Sequence, residues 1–270
     1  MPLRLISASI LIPAALALVF FAPPGIYLAV IAVVGTFCLY EYFRIMERMG
    51  FRGQPWLGYI SFWILIKGLS MARIPAEMLC AAVLVITFLA AMWRRESIRD
   101  RVHGLMANVL GVYYLAFSLY PAVAVRFRFG DRQGLEWTLI LLVVLWVGDT
   151  AALLGGRLLG RTPFASMLSP KKTNEGAVAG LLGGVLAAVL LRQYFFSDLP
   201  LGHVAAASLL IAAFGQLGDL AESMLKRAAE VKESSGLIPG HGGVLDRVDS
   251  MLFALPVLYL YLLILYTPMA

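Results

Sequence analysis

Charge is what this chain has least of. Only 14% of its 270 residues are Asp, Glu, Lys or Arg, against 61% that are hydrophobic, whereas soluble domains carry roughly 25% charge. That scarcity excludes an ordinary soluble fold: mean hydropathy is +0.84, and apolar runs of about 18 residues, each long enough to cross a bilayer core, recur almost end to end. Cysteine is nearly as scarce. Cys38 and Cys80 each lie inside an apolar run, which leaves no basis for a disulfide framework or a thiolate metal site. There is no GxxxxGKS/T loop, no GxSxG elbow and no HExxH pair, so P-loop, serine-hydrolase and zincin chemistry lack support. The net charge of +6 does not point to nucleic acid, because the basic residues sit in short connections rather than in a stripe or a tail.

What is present reads as an all-α polytopic integral membrane protein. Helices satisfy their own backbone groups in lipid, and the strand alternation of a barrel is missing. About nine spans are expected, near 5–22, 26–43, 57–72, 76–93, 104–125, 137–156, 176–194, 203–222 and 250–267. The first is read as a retained span rather than a signal peptide, since Pro23 and Pro24 follow Ala22 directly. With the N-terminus inside, sixteen Lys and Arg fall on the cytoplasmic side and five outside, which orients the bundle in the cell membrane. Residues 1–136 keep most charges in connections and are expected to be scaffold and lipid contact. Residues 137–270 carry acids within or at the ends of spans and should be catalytic, with cytoplasmic loops 157–175 and 223–249. Small residues over 180–190 allow close helix contact, within the chain or across a homodimer.

An ionisable group in an apolar span is costly unless paired, metal-bound or facing a polar cavity. Asp149 lies in LLVVLWVGDTAALLGG, Asp219 and Glu222 end an apolar run, and Asp246 and Asp249 are three apart at the start of the last one. Such carboxylates suit Mg²⁺, a hard cation that takes oxygen ligands. Interhelical hydrogen bonds, or pairing with a basic loop residue, would also account for Asp149 and Asp219, and an i,i+4 pair with Lys226 for Glu222. Ser169, Lys171, Lys172, Thr173 and Glu175 in one loop, and Lys226 and Arg227 beside the glycines of the other, point to phosphate. Gly240, Gly242 and Gly243 permit positive φ and close backbone approach to an anion. His241 taken alone fits a cap or a structural hydrogen bond.

Ser223, Lys226, Arg227, Lys232, Pro239, His241, Gly242, Gly243, Asp246, Arg247 and Asp249 fall in register with a pattern that resembles the signature of phosphatidate cytidylyltransferases, also called CDP-diacylglycerol synthases. The resemblance extends through Gly148-Asp149-Thr150-Ala151, Gly156-Arg157, Gly160-Arg161 and SPKKTNEG. Glu233 departs from the family's usual aspartate, and Asn174 stands where an aromatic residue is commoner. The resemblance implies CMP transfer from CTP to phosphatidic acid, with Mg²⁺; whether a second, monovalent cation takes part is left open. It implies Asp149, Asp219, Asp246 and Asp249 at the metal, and Lys226, Arg227, His241 and Asp246 as catalytic groups. Substrate contacts would come from Ser169, Lys171, Lys172, Thr173, Glu175, Gly242, Gly243 and Arg247 together with Lys226 and Arg227.

Four rivals remain. A CDP-alcohol phosphotransferase would need an Asp-Gly-x-x-Ala-Arg opening, which is missing. A CTP-dependent polyprenol kinase would pass a phosphoryl group from CTP to an alcohol, and a cytidylyltransferase for another lipid phosphate would differ only in acceptor. A cation-coupled transporter would use the acids but has no need of the basic, glycine-rich loop.

Overall fold

The computed structural model describes residues 2–71, 74–238, 240 and 242–266, with side chains from residue 9 onward. Pro239 and His241 lie outside the described residues, and with them the expectation that His241 is catalytic. Helices form at all nine expected places: α1 Pro2–Phe21, α2 Pro24–Arg48, α3 Pro55–Met71, α4 Ala76–Met92, α5 Ile98–Phe127, α6 Asp131–Leu159, α7 Asn174–Phe195, α8 Leu201–Ala228 and α9 Leu245–Tyr266.

Six of them, α2 and α5 to α9, are long and apolar enough to cross a membrane. This supports a polytopic helical membrane protein but not a count of nine spans. For α3 and α4 the reason is length: they have 17 residues each, or roughly 25 Å of helix, less than a bilayer core, and α3 carries Lys67.

Two local features depart from the sequence expectation. The 157–175 connection holds an antiparallel pair, β1 Pro163–Ala165 with β2 Ser169–Thr173; strands of three and five residues are too short to announce themselves by alternation. The other connection is shorter than expected. α8 continues through Ser223, Lys226 and Arg227, and α9 already contains Asp246, Arg247 and Asp249, leaving residues 229–244 as the true loop. α8 ends in a Schellman arrangement, with Val231 N–H on the Lys226 carbonyl at 2.9 Å and Glu230 N–H on that of Arg227 at 3.0 Å. Glu230 takes the left-handed position at φ 57°, usually given to glycine.

The chain forms two compact units that are interleaved in sequence. One comprises Met1–Val123 with Leu225–Arg247, the other Ala124–Met224 with Val248–Ala270. In the first, Leu39, Tyr42, Phe62, Leu65 and Leu115 are buried. In the second, Trp137, Ile140, Val144, Ile211 and Leu258 are buried, and α6 packs along α7. A Cβ on Gly180 would stand 3.1 Å from the Gly148 carbonyl oxygen, and one on Gly184 3.0 Å from that of Val144. The small residues of 180–190 therefore serve an intrachain contact, as close helix approach in lipid requires.

Candidate active site

In the second unit, α6, the β1–β2 hairpin, the first turns of α7 and the middle of α8 around Gln216 and Asp219 enclose a cavity of about 500 Å³. Asp149, Arg157, Lys171, Lys172, Gln216 and Asp219 supply its polar lining, with Phe164 and Leu153 among the apolar groups. Lys171 and Lys172 of β2 both line the cavity. Lys172 Nζ donates to Asp219 Oδ2 at 2.5 Å, both side chains being about one-third exposed. Thr173 lines the cavity and caps α7, accepting from Gly176 N–H at 3.1 Å. Gln216 donates to the Ala177 carbonyl at 3.0 Å.

Glu175 has a different task. Its carboxylate accepts from the Arg161 and Thr162 amides at 3.0 and 3.3 Å and from the Thr162 hydroxyl at 3.0 Å. It fastens the hairpin and is not among the residues lining the cavity. Ser169 lies in β2 and is likewise absent from that lining. Asp249 is brought close by backbone packing: a Cβ at Gly218, next to Asp219, would stand 2.5 Å from the Asp249 carbonyl oxygen. The Asp249 carboxylate accepts from the Ser250 amide at 2.7 Å.

In the first unit the loop between α8 and α9 is built around two carboxylates. Asp246 Oδ1 accepts from Lys226 Nζ at 2.5 Å, and Oδ2 accepts from the amides of Ser234 and Gly243 at 3.0 and 2.8 Å. The Ser234 hydroxyl lies 2.8 Å from Asp246 Oδ2 and 3.0 Å from Glu41 Oε2, and its single hydrogen serves one of them at a time. Both members of the Lys226–Asp246 pair are largely buried, so each offsets the other's desolvation.

Glu41 escaped the sequence reading. It sits fully buried in α2, where its carboxylate also accepts from the Ser235 hydroxyl and from the Val244 and Leu245 amides at 3.0 and 2.7 Å. Those amides open α9, so the anion satisfies orphan donors at the positive end of the helix dipole. The signal was available: FCLYEYF places an acid in an apolar run, the same anomaly that singled out Asp149.

The glycines divide their labour. Gly240 and Gly242 adopt φ of 77° and 78°, as the tight Ile238–Gly242 bridge requires. Gly243 does not take positive φ; its place is dictated by crowding, since a Cβ there would overlap Ser234 Oγ and both Glu41 oxygens. Arg227 and Arg247 are exposed. Arg227 donates to the Val231 carbonyl at 3.2 Å, finishing α8.

Among the described residues, no three His, Cys, Asp or Glu gather into an all-protein metal cage. The donor set nonetheless fits a hard divalent cation that arrives with phosphate, for Mg²⁺ typically keeps its waters and takes one or two carboxylates plus substrate oxygens. Asp149 and Asp219 meet that need in one cavity, where cations outnumber them three to two.

Comparison with known proteins agrees. Residues 2–265 match the cytidylyltransferase family. The chain is similar to the phosphatidate cytidylyltransferase of Bacillus subtilis (strain 168), at 30% identity over 244 residues and 88% of either chain. It is similar also to that of Staphylococcus saprophyticus, at 39% over 145 residues, 53% of this chain and 56% of the relative. With that of Staphylococcus haemolyticus it shares 36% over 145 residues, again 53% and 56%. Asp149, Asp219, Asp246 and Lys226 thus lie in a chain that belongs to the cytidylyltransferase family.

Proposed function

We propose that this protein is an integral membrane enzyme that transfers CMP from CTP to phosphatidic acid, giving CDP-diacylglycerol and pyrophosphate. The observation that carries the reading is the cavity in which Asp149 and Asp219 face Lys171, Lys172 and Arg157, within a membrane-type helical chain of the cytidylyltransferase family. The relatives' names supply the acceptor.

The chemistry asks for electrostatics more than for a nucleophile from the protein. A phosphomonoester is already anionic at neutral pH, and its oxygen attacks the α-phosphorus of CTP. The new P–O bond forms as the bond to the bridging oxygen breaks, and pyrophosphate leaves with that electron pair. Bringing two anions together is the difficulty, and fixed cations in a partly dry cavity lower it. Lys171, Lys172 and Arg157 neutralise the triphosphate, Arg157 as a planar fork and the lysines as point charges. Asp149 and Asp219 would hold Mg²⁺, with Asp249 beside Asp219 as a further oxygen source. When bound, the ion withdraws charge from the phosphate oxygens. Lys172, which now donates to Asp219, would be free to meet phosphate were that carboxylate to hold the ion. Asp246 keeps Lys226 in place and shapes the 229–244 loop.

The excess of basic connections on one side orients this chemistry to the cytoplasm, where CTP is available. Purified protein given labelled CTP and phosphatidate should form CDP-lipid only with Mg²⁺ present. No product with phosphatidate or any other lipid phosphate would overturn the reading; a product with polyprenyl phosphate alone would change the acceptor.

A further inference from the structure

A second cavity, of about 410 Å³, lies in the first unit between the last two turns of α2 and residues 231–236. Three cations line it, Arg44, Arg48 and Lys232, with Glu233 the one acid. We infer that this cavity holds the phosphate of a lipid phosphomonoester whose acyl chains run along α2. The inference rests on the reaction proposed above and names where that reaction's lipid substrate is captured.

Four observations lead there. First, the cations are uncommitted: among the described residues none of the three forms an ion pair. Arg44 only leans on Tyr40, with Nη1 3.4 Å from the hydroxyl and its guanidinium carbon 5.7 Å from the ring centroid. Glu47 lines a neighbouring cavity that Arg44 shares, with Arg52 and Arg94 as further cations there, and it forms no ion pair with Arg44. Second, the chemistry suits a doubly charged, multi-oxygen anion. Two guanidinium forks four residues apart stand on one helix face, with an ammonium opposite.

Third, the site is built. Buried Glu41, one turn before Ile45, binds the Ser234 and Ser235 hydroxyls, and those residues form the opposite wall. Fourth, the approach is apolar. Ile26, Val30, Val33, Phe37 and Tyr40 are exposed, and at 100° per residue they fall on the face of α2 that ends in Arg44 and Arg48. An anion drawn from water needs no such stripe, whereas a lipid needs one that ends in cations.

The test is binding of phosphatidate to the purified full-length protein in mixed micelles without CTP, read by native mass spectrometry, beside steady-state kinetics. Arg44→Ala/Arg48→Ala should weaken phosphatidate binding and raise its KM by about tenfold or more, leaving the KM for CTP within about twofold. Arg48→Lys should fall between. Lys232→Gln, in the loop, gives a second reading if the double variant does not fold. Unchanged phosphatidate affinity in the folded variants would overturn the inference. So would an equal loss for phosphatidylglycerol, a monoanionic diester, or displacement of the lipid by equimolar inorganic phosphate. Wild-type protein that binds phosphatidate through these residues yet transfers no CMP would leave the site standing and sink the reaction instead.

Discussion

The amide of Leu245 donates to the carboxylate of Glu41 at 2.7 Å across 204 positions of sequence. One buried acid in α2 thereby fixes where α9 begins, and so where Asp246 stands. Glu41→Ala would strip acceptors from two hydroxyls and two amides. A loss of about 3 kcal/mol is expected, read as a lower unfolding temperature in detergent and faster proteolysis within 229–244. Glu41→Gln keeps an acceptor and should lose less. Equal stability of Glu41→Ala and wild type would show that the loop is held otherwise.

The Lys226–Asp246 pair predicts an asymmetry between stability and activity. Asp246→Asn takes a carboxylate charge away from the largely buried ammonium of Lys226 and should cost about 3 kcal/mol, yet the protein still inserts in the membrane. CTP-dependent product formation should nearly vanish. Adding Lys226→Met should recover most of the stability and none of the activity. Normal turnover by Asp246→Asn would remove Asp246 from the site.

At the first cavity, Asp219→Asn and Asp149→Asn are expected to lower CMP transfer by about a hundredfold or more, the scale on which charge-stabilising groups act. Lys172→Ala should chiefly raise the KM for CTP. Because Lys172 and Asp219 are in contact, their effects should not add, and a double-mutant cycle on kcat/KM measures the coupling. Additive losses would mean that the two act apart.

Chelation of divalent ions should abolish transfer, and Mg²⁺ should restore it. In Asp219→Asn the Mg²⁺ concentration for half-maximal rate should rise. A rate indifferent to chelator would refute metal assistance.

Gly243→Ala separates crowding from backbone conformation. The added methyl must displace Ser234 or Glu41, so this variant should lose loop order and activity, although φ at Gly243 is not in the left-handed region. Activity equal to wild type would show that the loop can yield.

Sequence alone determined the helical membrane class, the nine helix positions and the acids and cations to watch. Those follow from short-range physics: an apolar run must form a helix in lipid, and a charge within it is conspicuous wherever it falls. The same rule would have flagged Glu41, had it been applied to the first half as it was to Asp149. Only the tertiary structure decided the partnerships. That Lys172 meets Asp219, 47 positions away, and that Glu41 of α2 reaches Leu245, 204 positions away, depend on chain segments far apart in sequence; the partners of Asp246 and Glu175 are nearer, and how each loop folds back selects them. Distance in sequence carries no information about such meetings, because packing of the interleaved segments within each unit sets them.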